Sequence, residues 1–178
     1  MEQPPLVTKA LEFAAARGFE KSCQREDGAL LHVLAARRGV SRVGEIGTGA
    51  GVGSAWIVSA LPPTTPFFTA ETDPDLATAV TAFYGDDPNV TVLQGSWRET
   101  LPPEAPFDLS IVDTNDAKDD VDATIRLLAP GGTAVLDDVW LDPVLPDARR
   151  DAWFGHPILT TIELWVAPSR RALVAVRR

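Results

Sequence analysis

Apolar positions along this chain follow two periods. Over residues 6–20 (LVTKALEFAAARGFE) and 26–38 (EDGALLHVLAARR) they recur at helical spacing, the first run ending near Gly18 and the second stopped by Gly39. From residue 41 short apolar runs of strand length take over, at 41–46 (SRVGEI), 66–71 (PFFTAE), 89–95 (NVTVLQG), 106–113 (PFDLSIVD) and 133–138 (TAVLDD). Helical stretches stand between them at 53–61 (GSAWIVSAL), 74–85 (PDLATAVTAFYG) and 118–132 (KDDVDATIRLLAPGG). Pro74 takes the favoured first helical position, while Pro62-Pro63 and a Pro-Gly-Gly run act as stops. The segments LPPTTPF (61–67) and LPPEAPF (101–107) are a near-repeat, read as a recurrent helix stop and strand entry. Residues 158–166 (ILTTIELWV) and 171–178 (RALVAVRR), separated by APSR, read as a closing hairpin.

Strands alternating with helices predict an α/β fold with a mostly parallel sheet, and right-handed crossovers make it doubly wound. The hairpin supplies an antiparallel strand, which brings the expected sheet to seven. No low-complexity linker interrupts residues 1–178, so one domain is expected, with N-terminal helices in 1–40 and the core in 41–178.

Composition narrows the function classes. The chain is 45% hydrophobic and 23% charged, ordinary for a soluble globular protein. No apolar run approaches the ~18–20 residues of a membrane helix, and MEQPPLVTK lacks the pattern of a secretory signal. A single cysteine, Cys23, fits a reducing, cytoplasmic setting and excludes disulfide frameworks and cysteine-rich zinc sites. The net charge of −9, from 16 basic and 25 acidic residues, argues against nucleic acid as a partner and favours cationic small molecules.

Candidate chemistry starts at VGEIGTGAGVGSAW, residues 43–56, where glycine occupies positions 47, 49, 51 and 53. Glycine costs more conformational entropy on folding than any other residue, so four in alternation imply something close to the backbone. The run joins the first strand to a helix, where ligands of doubly wound sheets bind and helix N–H groups favour an anionic group. A dinucleotide loop wants G-x-G-x-x-G, but the two frames place Val52 or Ser54 at the third glycine. Glu71 ends the second strand 20 residues beyond Gly51, where a carboxylate can accept both ribose hydroxyls; Asp73 is the rival acceptor.

The actual pattern, Glu45-x-Gly47-x-Gly49-x-Gly51, resembles the signature of class I S-adenosylmethionine-dependent methyltransferases, with a Rossmann-like fold. Within that class GEIGTGAG is similar to the metal-dependent O-methyltransferases of the catechol and caffeoyl-CoA type. Further segments follow in order: SCQREDGALLHVLA (22–35), TAETDPDLA (69–77), VTVLQGSW (90–97), FDLSIVDTN (107–115), GGTAVLDDVW (131–140) and TTIELWVAPSRRALVAVRR (160–178). The resemblance implies cofactor contacts from Glu45, Gly47, Thr48, Gly49, Gly51, Gly53 and Ser54, with Cys23 and Gln24 as further candidates. It places the ribose at Glu71 and Thr72, and the adenine at Gly95, Ser96 and Trp97, although a core role suits Trp97 equally. Asp113 is implied near the transferred methyl as the catalytic residue, and with Asp137 and Asp138 as a ligand of Mg²⁺ or another divalent cation. Three carboxylates suit a hard cation that would orient substrate oxygens. The implied activity is O-methyl transfer to a small-molecule acceptor, in a protein whose relatives often form homodimers.

Departures from that pattern keep other readings open. The last ligand position, often asparagine, holds Asp138, and the general-base lysine's position holds Asp116, with Lys118 two residues further on. The segment before the glycine loop is short. Metal-independent transfer to nitrogen, sulfur or another oxygen substrate, a nicotinamide-dependent oxidoreductase and a cofactor-binding protein without catalysis are the alternatives. His32 reads as a helix residue, His156 as a loop residue that could serve as a base, and Trp140 and Trp153 as packing or pocket walls.

Overall fold

The computed structural model describes residues 2–137, 148–168 and 170–178. Helix α1 (Pro5–Ala16) opens on a proline and buries Val7, Ala10 and Ala14; α2 (Arg25–Ala35) buries Leu31 and Ala35. Both stop a turn or so before the ends expected from periodicity, and the chain between them passes over the sheet. Seven strands follow among the described residues: β1 (Val43–Ile46), β2 (Phe67–Glu71), β3 (Val90–Gln94), β4 (Phe107–Val112), β5 (Leu128–Leu136), β6 (Leu159–Ala167) and β7 (Arg170–Arg177). Their order in the sheet is β3-β2-β1-β4-β5-β7-β6, and β7 pairs antiparallel with both its neighbours. The expected doubly wound, mostly parallel sheet with one antiparallel strand is therefore the observed one. The order runs outward from β1 through β2 and β3 on one side and through β4 and β5 on the other, so the switch point lies between β1 and β4.

Each face of the sheet is covered. On one face α1, α2 and α3 (Val52–Val58) pack through Leu31, Ala35, Ile57 and Trp56. Gly28 lets α2 approach α3: a Cβ there would lie 2.2 Å from the Trp56 indole. Helix α4 (Pro74–Phe83), capped by Asp73 through the amides of Asp75 and Leu76, joins this face by a Phe13–Phe83 ring contact. The other face holds α5 (Trp97–Thr100), α6 (Asn115–Asp119), α7 (Val121–Arg126) and α8 (Ala148–Gly155) around Trp97, Leu101, Ile125 and Trp153.

One expected element is corrected. Instead of a helix over 118–132, two short helices meet at Asp120, whose carboxylate caps α7 by accepting from the Ala123 amide at 3.1 Å. The Pro-Gly-Gly run lies inside β5: Phe107 pairs with Leu128 and Leu109 with Thr133, so the register shift absorbs it as a bulge. Pairing of Leu128 with Phe107, continued from Thr133 onward by pairing with both β4 and β7, outweighs the local helical pattern. Helix α8 went unread because it is polar and buries only Trp153.

Candidate active site

A cavity of about 700 Å³ lies at the carboxyl ends of β1, β2, β4 and β5, walled by Phe19 to Gln24 from the α1–α2 connection. Gly47, Thr48 and Gly49 line it from the β1–α3 loop, Gly53 from the first turn of α3, Glu71 and Asp73 from the end of β2, and Asp113, Thr114 and Asp137 from just past the ends of β4 and β5.

The loop is held by its own backbone and by neutral side chains. The Gly47 and Thr48 amides donate to the Ala70 carbonyl at 3.1 and 3.2 Å, and the Thr48 and Thr69 hydroxyls lie 2.6 Å apart. At Gly47, φ is +95°, and a Cβ would lie 2.7 Å from Thr114 Cγ2. Gly51 has φ +78° with a Tyr84 ring carbon 3.1 Å from a would-be Cβ, and its carbonyl accepts from the Tyr84 hydroxyl at 2.6 Å. These glycines thus answer first to protein: the loop is squeezed between Thr114 and Tyr84, which brings it under the cavity.

Two carboxylates frame this side. Buried Glu45 accepts from Ser54 Oγ at 2.5 Å and Thr69 Oγ1 at 2.7 Å. Burial pushes its carboxyl up to about 7, despite the opposing effect of those two hydroxyls. Glu71 accepts from the Gly49 amide and the Asp73 amide, both at 2.9 Å, one on each oxygen. Each oxygen keeps a further lone pair, and the side chain lines the cavity.

The structure separates the remaining cofactor candidates. Ser54 is fully buried beneath Glu45, and Gly51 lies under Tyr84. Thr72 is exposed beyond Glu71. Gly95 donates its amide to the Glu71 carbonyl at 2.8 Å, and Ser96 caps α5. Trp97 sits in the core beneath that turn, with its indole N–H on Asp116 at 2.7 Å. Cys23 and Gln24 line the cavity, and burial raises the Cys23 thiol well above its ordinary range.

On the β4–β5 side, Asp113 opens to the cavity with 43% of its side chain exposed, whereas Asp137 is buried. Loss of hydration and the adjacent Asp137 carboxylate raise the Asp113 carboxyl above the usual carboxylate range. Lys118, from α6, joins them: Nζ lies 3.4 Å from Asp113 Oδ1 and 3.2 Å from Asp137 Oδ1, with only 4% of the lysine side chain exposed. Spacing alone did not bring Lys118 to this pair; the break at Asp120 and the seating of α6 do. Its position is fixed by Trp153, fully buried, whose indole N–H donates to the Lys118 carbonyl at 2.9 Å. Asp138 and Trp140 lie outside the described residues.

Arg170, which no sequence motif brings to this site, lines the cavity and ion-pairs with buried Asp27 of α2. His32 Nδ1 lies 2.9 Å from the Trp56 carbonyl oxygen. His156 pairs with Asp122 at 3.1 Å, away from the cavity lining.

Fold and site together define a class I, Rossmann-like methyltransferase architecture, and comparison with known proteins agrees. The profile of a methyltransferase-domain family matches residues 45–139, more than half of the chain. A Mycobacterium ulcerans protein named as an O-methyltransferase is 37% identical over 138 residues, covering 70% of this chain and 62% of its own. The chain spans about 60% of the length of such curated relatives. The O-methyltransferase TomG of Streptomyces achromogenes, involved in tomaymycin synthesis and solved with S-adenosylmethionine, is 26% identical with a TM-score of 0.79, over 99% of this chain and 91% of its own. A Bacillus cereus O-methyltransferase solved with S-adenosylhomocysteine shares the fold at TM-score 0.83 and 18% identity, over 100% and 93% of the two chains. This chain belongs to the methyltransferase-domain family.

Proposed function

We propose that this protein transfers a methyl group from S-adenosylmethionine to an oxygen of a small-molecule acceptor. The observation that carries the reading is Glu71: it braces the glycine loop through Gly49 while presenting its remaining lone pairs to the 700 Å³ cavity. That arrangement suits a ribose diol, and the surrounding Glu45, Asp73, Asp113 and Asp137 suit a ligand bearing sulfonium and ammonium charges. The loop from Gly47 to Gly53 would support the methionine end, and the turn at Gly95 and Ser96 the adenine. When bound, S-adenosylmethionine supplies an electrophilic methyl group: its S–C bond breaks, an O–C bond forms, and the sulfur keeps the electron pair as a thioether. The chain's part is positioning. Asp113 is the carboxylate that meets the acceptor and receives its hydroxyl proton.

The acidic charge of the chain supports a small molecule rather than nucleic acid as acceptor, and its single cysteine supports a cytoplasmic setting. The described donors do not fit a divalent cation. Asp113 and Asp137 share the Lys118 ammonium, and among the described residues no three His, Cys, Asp or Glu side chains group as metal ligands.

The test is calorimetric titration of the full chain with S-adenosylhomocysteine. Wild-type protein should bind, and Glu71→Ala should lower affinity by at least about 100-fold, as expected when a charge-assisted hydrogen-bond acceptor is removed. Absence of binding by the wild type would overturn the reading; binding without turnover across a broad acceptor panel would reduce it to a cofactor-binding protein.

A further inference from the structure

We infer that the Lys118 ammonium is the resident cation of this site: it holds the place between Asp113 and Asp137 that the resemblance gives to a metal, and transfer here runs without a divalent ion. The inference rests on the methyltransferase reading above and deepens it.

The argument starts from burial. A lysine with 4% of its side chain exposed must be paired, and the two carboxylates within 3.4 Å are its partners. The lysine backbone is pinned as well. Its amide donates to the Thr114 carbonyl at 3.0 Å, and its carbonyl accepts from the Trp153 indole at 2.9 Å. One turn of helix is thereby locked with its side chain under the cavity floor. A divalent ion at the same carboxylates needs oxygen ligands at ~2.0–2.1 Å for Mg²⁺ and would add two positive charges beside a buried ammonium.

The lysine is also badly placed to serve as a base. A base must reach the acceptor, yet Asp113 and Asp137 line the cavity while Lys118, with its side chain 4% exposed, is not part of that lining. Lys118 is accordingly a positioning residue: it neutralises part of the acidic pair and holds the Asp113 carboxylate at the cavity.

The experiment follows Mn²⁺ by electron paramagnetic resonance in EDTA-treated, full-length protein, alongside S-adenosylhomocysteine calorimetry. For wild type the expected result is a free-ion Mn²⁺ signal and cofactor-product affinity unchanged by EDTA or added Mn²⁺. Lys118→Met, which keeps the aliphatic stem and removes the charge, should gain at least about tenfold in Mn²⁺ affinity as the carboxylates lose their ammonium partner. Stoichiometric Mn²⁺ binding by wild type with S-adenosylhomocysteine binding intact would overturn the inference and leave the methyltransferase reading standing. No gain by a folded K118M would overturn it too, because something other than the ammonium would then exclude the ion. Should K118M fail to fold, the wild-type arm decides alone. Loss of S-adenosylhomocysteine binding by wild type would instead remove the reading on which the inference rests.

Discussion

The two sides of the cavity satisfy their charges in different ways. On the β1–β2 side, Glu45 is paired with two hydroxyls and Glu71 with two backbone amides, and neither has a cation among the contacts described. On the β4–β5 side, Asp113 and Asp137 share a buried lysine. The first side satisfies its carboxylates with neutral donors and no counter-charge among the contacts described; the second carries its own counter-charge. The difference teaches where each side draws its electrostatics from. One relies on neutral hydrogen-bond donors, and the other on an ion pair set by folding.

Three measurements break or sharpen this contrast. The largest effect is expected at the ion pair that joins the last strand, at the cavity wall, to α2. Arg170 of β7 pairs with Asp27 of α2, whose side chain is 1% exposed. Arg170→Met should cost about 3 kcal/mol or more and lower the melting temperature by roughly 6–12 °C, because Asp27 loses that ion pair in a buried setting. A fall of under about 2 °C would mean that α2 is held in place without this tie.

Next comes the pH response of Glu45, which belongs to the β1–β2 side alone. Its folded-state carboxyl is raised from 4.5 to about 7, so the folded protein holds this proton more tightly than the unfolded chain. The contribution to stability is full below about 4.5 and is lost as pH rises through about 7. Thermal unfolding between those limits should show wild type losing roughly 3 kcal/mol relative to Glu45→Gln as pH rises. Parallel curves for the two proteins would show that Glu45 does not titrate in this window.

The smallest effect is confined to the other side. Trp153→Phe keeps an aromatic ring in the core but deletes the hydrogen bond to the Lys118 carbonyl. A loss of about 1–2 kcal/mol is expected in chemical denaturation, with S-adenosylhomocysteine affinity unchanged. A weakened affinity would show that the two sides communicate through α6.

Legibility followed the range of the forces. The strands up to 113 and the closing hairpin were readable because each is an apolar run bounded by turn residues. Residues 118–132 were not, since their local pattern is helical while Leu128 is claimed by pairing with Phe107 of β4, and pairing with both β4 and β7 takes over from Thr133. In the site, the glycine loop and Glu71 were legible as a spacing. What crowds the loop was not: Thr114 and Tyr84 reach Gly47 and Gly51 from remote elements. The turn at Gly95 and Ser96 was found, whereas the indole of Trp97 points into the core.

By itself, then, the amino-acid order determined the alternation of strands and helices, the position of the glycine-rich loop and the acid at the end of β2. Those features are local, set by backbone preference and the side-chain period within one element. Only the tertiary structure decided that Lys118 meets Asp113 and Asp137, and that Arg170 meets Asp27 across 143 residues of chain. A buried charge must find its partner wherever packing brings one within reach, and no spacing along the chain specifies where that will be.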